Sequence, residues 1–495
     1  SRHIVRLLPV ETTEMPTHIQ ELVNMTSLRI STTSTGEIPL AQGQGKLDPR
    51  TISVGAVTGD EDLDVLSSII EALNADYGNR SNAGSMMTDI YATISSLKSN
   101  RNKCAKWMKN SSRAASFPFN LLGGRASIKY QPIGVVGNVV PWNFPFNLAF
   151  SPLGSIFAAG NRCIMKPSEY TPHCTHLMKK LVEQYFDVTE LAVVTGGPKT
   201  GEIFSTMPFD HLLFTGSTSI APHVIRGSAE NIIPLTLELG GKSPVIISQS
   251  ANMKQTADRI MFAKTLNAGQ ICLAPDYIML PENQKETFSD LAIDSIRTMF
   301  PTIKDNQDYT SIINERHYDR LKGYLADAKK KGAEIIEINP ANENFSQQEH
   351  FKIPPTLVIN PSDNMKLMQE EIFGPILPIK TYHTINEAID YVNAHDLPLG
   401  LYYFGADKNE ENEVTSRTIS GGVTINDLLV HATQEGLPFG GVGASGMGAY
   451  NGIEGFKNFS HAKPIYRQTP IEKALQMMRP PYTEKFYNLL KSMAN

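Results

Sequence analysis

Cysteine is scarce in this chain: 495 residues contain four, Cys104, Cys163, Cys174 and Cys272. That is too few to staple a protein of this size, so a disulfide framework is excluded and a reducing, cytoplasmic setting is expected. None of the four belongs to a CxxC pair, so nothing supports a structural zinc site and no metal is expected. Neither sign of charge dominates: 45 Lys and Arg against 50 Asp and Glu give a net charge of −5. A nucleic-acid surface needs a basic excess, so no nucleic-acid partner is expected. No sustained apolar core follows Arg2 and Arg6, so no signal peptide is expected. The longest uncharged run, from about Gln131 to Asn161, has the length of a membrane span. Its repeated prolines and asparagines and its change of period read instead as strand, tight loop and buried helix, without membrane insertion.

The chain is too long for one simple core, so two or more domains are expected. Hydrophobic residues make up 41% and charged residues 19%, as in ordinary soluble globular proteins. From about Thr26 to Asp60 the sequence is rich in Ser, Thr and Gly and reads as an irregular arm. From Leu63 a helical period begins, with Leu66, Ile69, Ile70 and Leu73, and a second helix is predicted over about Met87 to Lys109. Short β-branched runs then alternate with helical stretches. Val135–Val140, Cys163–Lys166, Leu191–Thr195, Leu212–Thr215 and Leu235–Leu239 read as strands. After Gly240 a second series follows: Val245–Ser248, Tyr277–Leu280, Glu334–Ile338, Pro375–Lys380, Leu401–Phe404 and Val423–Asn426. Such alternation predicts an α/β protein with two doubly wound domains, joined near Gly240–Pro244.

Three runs carry chemistry. Asn267-Ala-Gly-Gln-Ile-Cys272 presents a thiol between Gly269 and Pro275, the surroundings of a loop. A lone cysteine is usually a small buried hydrophobe; in a loop it is a candidate nucleophile that needs a base or a lowered pKa. Glu238 interrupts an apolar strand, where a carboxylate is costly to bury. It is either a structural glutamate, paired with Lys242, or a general base whose pKa burial has raised. Asn143 lies in Pro-Trp-Asn-Phe-Pro, held by prolines on both sides. It either serves a turn or donates to a tetrahedral oxyanion.

Three further elements suit a dinucleotide. Lys166-Pro-Ser-Glu169 ends a predicted strand and offers a cation and a carboxylate to ribose hydroxyls. Phe214-Thr-Gly-Ser-Thr218 leads from a strand towards a helix, so its N–H groups can hold a pyrophosphate. Glu370-Glu-Ile-Phe-Gly-Pro375 adds a carboxylate and a ring. No GxGxxG is read in the chain, so the ordinary Rossmann fingerprint gives no support.

Together with Leu437-Pro-Phe-Gly-Gly-Val-Gly-Ala-Ser-Gly446, these runs resemble the aldehyde dehydrogenase superfamily from about Leu63 to Gln468. Cys-Leu-Ala-Pro-Asp-Tyr, Gly443–Gly455, Phe459-Ser-His-Ala-Lys-Pro464 and Met478-Arg-Pro-Pro-Tyr482 resemble its class 3 and coniferyl aldehyde dehydrogenase branch. The resemblance implies an NAD(P)-dependent oxidation of an aldehyde, aromatic of the coniferyl type or medium- to long-chain aliphatic, to the acid. In it Cys272 attacks, Asn143 and the Cys272 N–H stabilise the oxyanion, and Glu238 activates the hydrolytic water. It also implies that Trp142, Lys166, Glu169, Gly216, Ser217, Glu371 and Phe373 surround the cofactor, NAD, with NADP also accepted. The implied layout is an N-terminal arm and helices over 1–115, an oligomerisation hairpin over 116–131 and a Rossmann-like NAD-binding domain over 132–240. A catalytic thiol domain follows over 241–440, and 441–495 return to the first domain and end in an oligomerisation tail.

The hairpin and the amphipathic tail each expose apolar residues that need cover, which predicts a homodimer. Two other readings are a catalytically silent protein of this fold and a CoA-acylating semialdehyde dehydrogenase. The intact Cys272, Glu238 and Asn143 argue against the first, and retention of Glu238 argues against the second. The chain departs from the family in its first 60 residues, at Ala221-Pro222, and at Asn451, where near relatives often carry histidine.

Overall fold

The structure, a computed structural model, describes residues 60–494. The irregular arm read over 26–60 therefore lies outside the described residues, apart from its last position. The helix predicted from Leu63 spans Asp60–Tyr77. The region read as one helix over Met87–Lys109 is broken. A short turn at Asn82–Ser85 runs into a π-helix at Met86–Tyr91, and only then does an α-helix continue over Ala92–Trp107.

β1 (Ser111–Arg113) and β2 (Arg125–Pro132) form an antiparallel hairpin. β3 (Val135–Val139), β4 (Arg162–Lys166), β5 (Leu191–Val193), β6 (His211–Thr215) and β7 (Leu235–Glu238) follow as parallel strands in the spatial order β5-β4-β3-β6-β7. Chain order reverses direction between β3 and β6. In an open α/β sheet that switch point opens a crevice at the carboxyl ends of the strands. The register puts Val139 opposite both Lys166 and Phe214, and Thr215 opposite Glu238. Lys166, Thr215 and Glu238 therefore sit along one rim.

The second sheet contains β8 (Pro244–Ile247), β9 (Tyr277–Pro281), β10 (Glu334–Glu337), β11 (Thr356–Ile359), β12 (Ile376–Tyr382), β13 (Gly400–Phe404) and β14 (Gly422–Ile425), in the order β10-β11-β12-β9-β8-β13-β14. Only β10 is antiparallel to its neighbour. β8, β9, β11 and β13 are buried along their whole length, as parallel strands covered on both faces must be. β15 (Gly446–Met447) returns to the first sheet beside β7, and β16 (Ser460–Arg467) pairs with β2 in a three-stranded sheet. Every strand predicted from Val135 onward is present, and the α/β reading with two doubly wound sheets stands. β11 was not predicted: it is four residues long and follows Pro354-Pro355.

The helix before Cys272 spans Met253–Thr265. A tight turn over Leu266–Gly269 follows, with Asn267 and Ala268 both at positive φ. Gly269, at φ +74, lies against the Gly374 carbonyl where no Cβ fits. The loop bearing the thiol is thus locked to the loop bearing Glu371 and Phe373. No helix among the described residues is long and apolar enough to cross a membrane.

Candidate active site

Cys272, Glu238 and Thr215 line one cavity of about 790 Å³. Aromatic and aliphatic side chains, among them Phe144, Phe439 and Tyr450, form most of its wall, and Asn451 also lines it. Glu238 is 1% exposed, and neither carboxylate oxygen has a hydrogen-bond partner. Burial pushes its pKa well above the usual carboxylate range. The Cys272 thiol is also pushed well up, first by burial and then by the charges of Glu238 and Glu371. Lys242 does not pair with Glu238. It pairs with Asp276 and donates to the Leu367 and Glu370 carbonyls. An unpartnered buried carboxyl beside a thiol is what a proton acceptor requires, and it is a poor structural anchor.

Asn143 is 3% exposed and is not among the residues lining the cavity, whereas its neighbour Phe144 is. Its Nδ2 donates to the Gln270 carbonyl at 3.2 Å, two residues before the thiol. Gln270 is itself pinned: Nε2 donates to the Asn267 and Ser311 carbonyls, both at 3.0 Å, and Oε1 accepts from the Ile313 N–H at 3.0 Å. The structure thus brings together the three residues singled out in the sequence, Cys272 and Glu238 on the wall of one cavity and Asn143 through Gln270.

Around the rim, Lys166 Nζ donates to Glu169 at 3.1 Å and to the Pro167 carbonyl at 3.2 Å. The Gly216 N–H donates to the Glu238 carbonyl at 3.0 Å, and the Ser217 and Ser219 hydroxyls lie 3.0 Å apart. The next helix begins at Ala221, with Pro222 in its first turn. The chain does spell GxGxxG at Gly441–Gly446. There it forms a single turn at Gly443–Ser445 leading into β15, with no strand-to-helix phosphate loop. Thr218 donates to the Ala444 carbonyl at 3.1 Å.

Glu371 lies over Gly240, where a Cβ would meet its carboxylate. Its pKa is pushed up to about 8, by burial first and by Asp276 second. The Phe373 ring meets Trp142 edge-on at 5.3 Å, and His317 adds a third ring 5.0 Å from Trp142. Phe373 adopts φ +49, a conformation costly for a bulky residue and seen where a site fixes a side chain. No cluster of metal-binding side chains occurs among the described residues. Tyr77, Arg80, Asp89 and Asp276 escaped the sequence reading because each makes its contact to the site with residues distant in sequence.

Comparison with known proteins points the same way. Residues 68–465 match the model of the aldehyde dehydrogenase family. A Caulobacter vibrioides protein named "Probable coniferyl aldehyde dehydrogenase" is 54% identical over 84% of this chain and 87% of its own. The coniferyl aldehyde dehydrogenase of a Pseudomonas species is 51% identical over 86% of this chain and 88% of its own. Among solved structures, the substrate-bound state of Staphylococcus aureus AldH superposes with a TM-score of 0.84 at 34% identity, covering 97% of this chain and all of that one. A Mycobacterium tuberculosis aldehyde dehydrogenase complexed with NAD+ superposes with a TM-score of 0.72 at 26% identity, covering 83% and 86%. The chain belongs to the aldehyde dehydrogenase family, in its coniferyl aldehyde dehydrogenase branch, and is an aldehyde-oxidising oxidoreductase.

Proposed function

We propose that the protein oxidises an aldehyde to the carboxylic acid through a covalent acyl intermediate on Cys272. The observation that carries this is the unpartnered, buried Glu238 carboxyl in the same cavity as the thiol. A thiol with a raised pKa needs a base when substrate arrives. Cys272 Sγ bonds to the aldehyde carbon and its proton passes to Glu238, leaving a tetrahedral oxyanion. The Asn143 amide carries two N–H groups; one rests on Gln270, and the second is available to that oxygen together with the Cys272 N–H. The oxidant would be a bound nicotinamide, which would supply a hydride acceptor for the tetrahedral carbon as that carbon becomes a thioester carbon. Glu238 releases the thiol's proton to solvent and then takes a proton from water, the hydroxyl oxygen bonds to the thioester carbon, and Cys272 leaves as thiolate.

The residues present fit such a cofactor. Lys166 and Glu169 would hold ribose hydroxyls of its adenosine half. The Gly216–Ser217 backbone opens towards a helix start and would hold the pyrophosphate. Glu371 would hold the second ribose, and Trp142 and Phe373 would wall the nicotinamide. A carboxylate at the adenosine ribose favours NAD over NADP. A large, mostly aromatic and aliphatic cavity suits a coniferyl-type or a medium- to long-chain aliphatic aldehyde.

A homodimer completes this reading. β16 is exposed along nearly its whole length, Leu121 is 75% exposed, and the Glu484–Ala494 helix buries none of its residues. Light scattering should return twice the chain mass.

The decisive experiment follows NADH absorbance with a panel of cinnamaldehydes and aliphatic aldehydes, with and without CoA. Cys272→Ala should abolish turnover and retain cofactor binding. Turnover by that variant would refute the covalent route, and a CoA requirement would favour acyl transfer to a thiol.

A further inference from the structure

The Asn143 main-chain carbonyl is held by three buried donors. Arg80 Nη1 reaches it at 2.9 Å and Asn267 Nδ2 at 3.1 Å, and the Tyr77 hydroxyl lies 3.0 Å away, its single proton shared with the Trp142 carbonyl at the same distance. A carbonyl oxygen has two lone pairs, so a third donor exceeds what satisfying the backbone requires. Arg80 is 2% exposed and forms an ion pair with Asp89 at 2.5 Å. The other Asp89 oxygen accepts from the N–H groups of Phe146 at 3.1 Å and Asn147 at 3.3 Å. Those are orphan donors of the Pro145–Ala158 helix, whose N-cap Phe144 supplies no side-chain bond. One buried ion pair therefore grips Asn143 from both sides, by its carbonyl and by the helix that follows it. The π-helix at Met86–Tyr91 falls on Asp89, a distortion that tends to mark functional positions. Asn267 Nδ2 also donates to the Gln270 carbonyl at 3.2 Å, the same acceptor that Asn143 Nδ2 uses. The clamp is thus continuous with the Cys272 loop.

We propose that Arg80, anchored by Asp89, is a positioning residue for aldehyde oxidation: through the Asn143 carbonyl it sets where the Asn143 amide points. The proposal rests on the reading of Asn143 as an oxyanion donor. Such donors act by being fixed in advance, and small displacements of a catalytic group are costly in rate. Arg80 touches neither substrate nor the reacting atoms in this scheme. Its effect therefore requires Asn143 to be present, which a purely structural role does not.

A double-mutant cycle tests this. Arg80→Met and Tyr77→Phe are made alone and combined with Asn143→Ala. Aldehyde kcat/KM, NAD affinity and thermal midpoint are measured for each. Asn143→Ala should lower kcat/KM by roughly 10²–10³-fold. In the Asn143 background, Arg80→Met should lower it by about 10- to 100-fold and Tyr77→Phe by about 3- to 10-fold, with NAD affinity unchanged. In the Asn143→Ala background each should cost less than about twofold. Equal losses in both backgrounds would overturn the role of Arg80 and leave the proposed reaction standing. Wild-type rates for Asn143→Ala would overturn both. Tyr77→Phe leaves the Arg80–Asp89 pair intact, so the cycle can be completed even if Arg80→Met does not fold.

Discussion

Lys242 and Asp276 form a largely buried ion pair that ties the Cys272 loop to both neighbours of Glu371. The two side chains are 15% and 4% exposed. Lys242 donates to the Glu370 carbonyl at 3.0 Å, and Asp276 accepts from the Ile372 N–H at 2.8 Å. Removing one member of a buried pair leaves the other charge uncompensated, at a cost of about 3–5 kcal/mol. Asp276→Ala should therefore lower the unfolding free energy measured by denaturant titration by that amount, and the Lys242→Met/Asp276→Leu double variant should lower it less. A single variant as stable as wild type would show that the pair contributes nothing.

Glu238→Gln should slow release of the acid more than formation of the acyl enzyme. The amide cannot take a proton from water, so thioester should accumulate on Cys272. Stopped-flow absorbance should show a burst of NADH followed by slow turnover, while the wild type shows a smaller burst or none. Loss of burst and steady rate together would assign Glu238 to thiol activation alone.

Turnover should rise with pH from mildly acidic to alkaline conditions. Burial raises the pKa of both Glu238 and Cys272. A group with a raised pKa surrenders its proton only at higher pH, so the active base and thiolate forms grow as pH increases. A kcat profile between about pH 5.5 and 9.5 should ascend, and the ascending limb should change in Glu238→Gln. A rate that falls across this range would contradict the assignment.

Glu169→Gln should weaken discrimination against NADP. Glu169 is about one-third exposed and already paired with Lys166, so its repulsion of a 2′-phosphate is screened and the change should be modest, about 3- to 10-fold in the NAD/NADP ratio of kcat/KM. The same ratio in both proteins would remove Glu169 from the ribose site.

The chemistry-bearing residues were legible in the sequence because each stands in a short run whose local character is unusual. Glu238 interrupts an apolar strand, Cys272 lies among turn residues, and Asn143 is bracketed by prolines. The strands of both sheets were legible for a similar reason, since β-branched runs set between helical periods reveal themselves locally. β11 escaped because a four-residue buried strand behind two prolines has no period to read. The break in the helix over Met87–Lys109 escaped because nothing local calls for it. It falls where Asp89 meets Arg80 and the start of the Pro145–Ala158 helix.

What the sequence determined by itself was therefore the alternation of elements, the family motifs and the candidates for the reactive groups. Tertiary structure alone decided the partners. The register of β6 and β7 set Thr215 beside Glu238. Lys242 went to Asp276, which left Glu238 unpartnered. Arg80 and Asn267 converged on the Asn143 carbonyl from two distant parts of the chain. The physical reason is that hydrogen bonds and ion pairs between distant residues depend on distances of a few ångströms, and those distances exist only after the sheets and helices have packed.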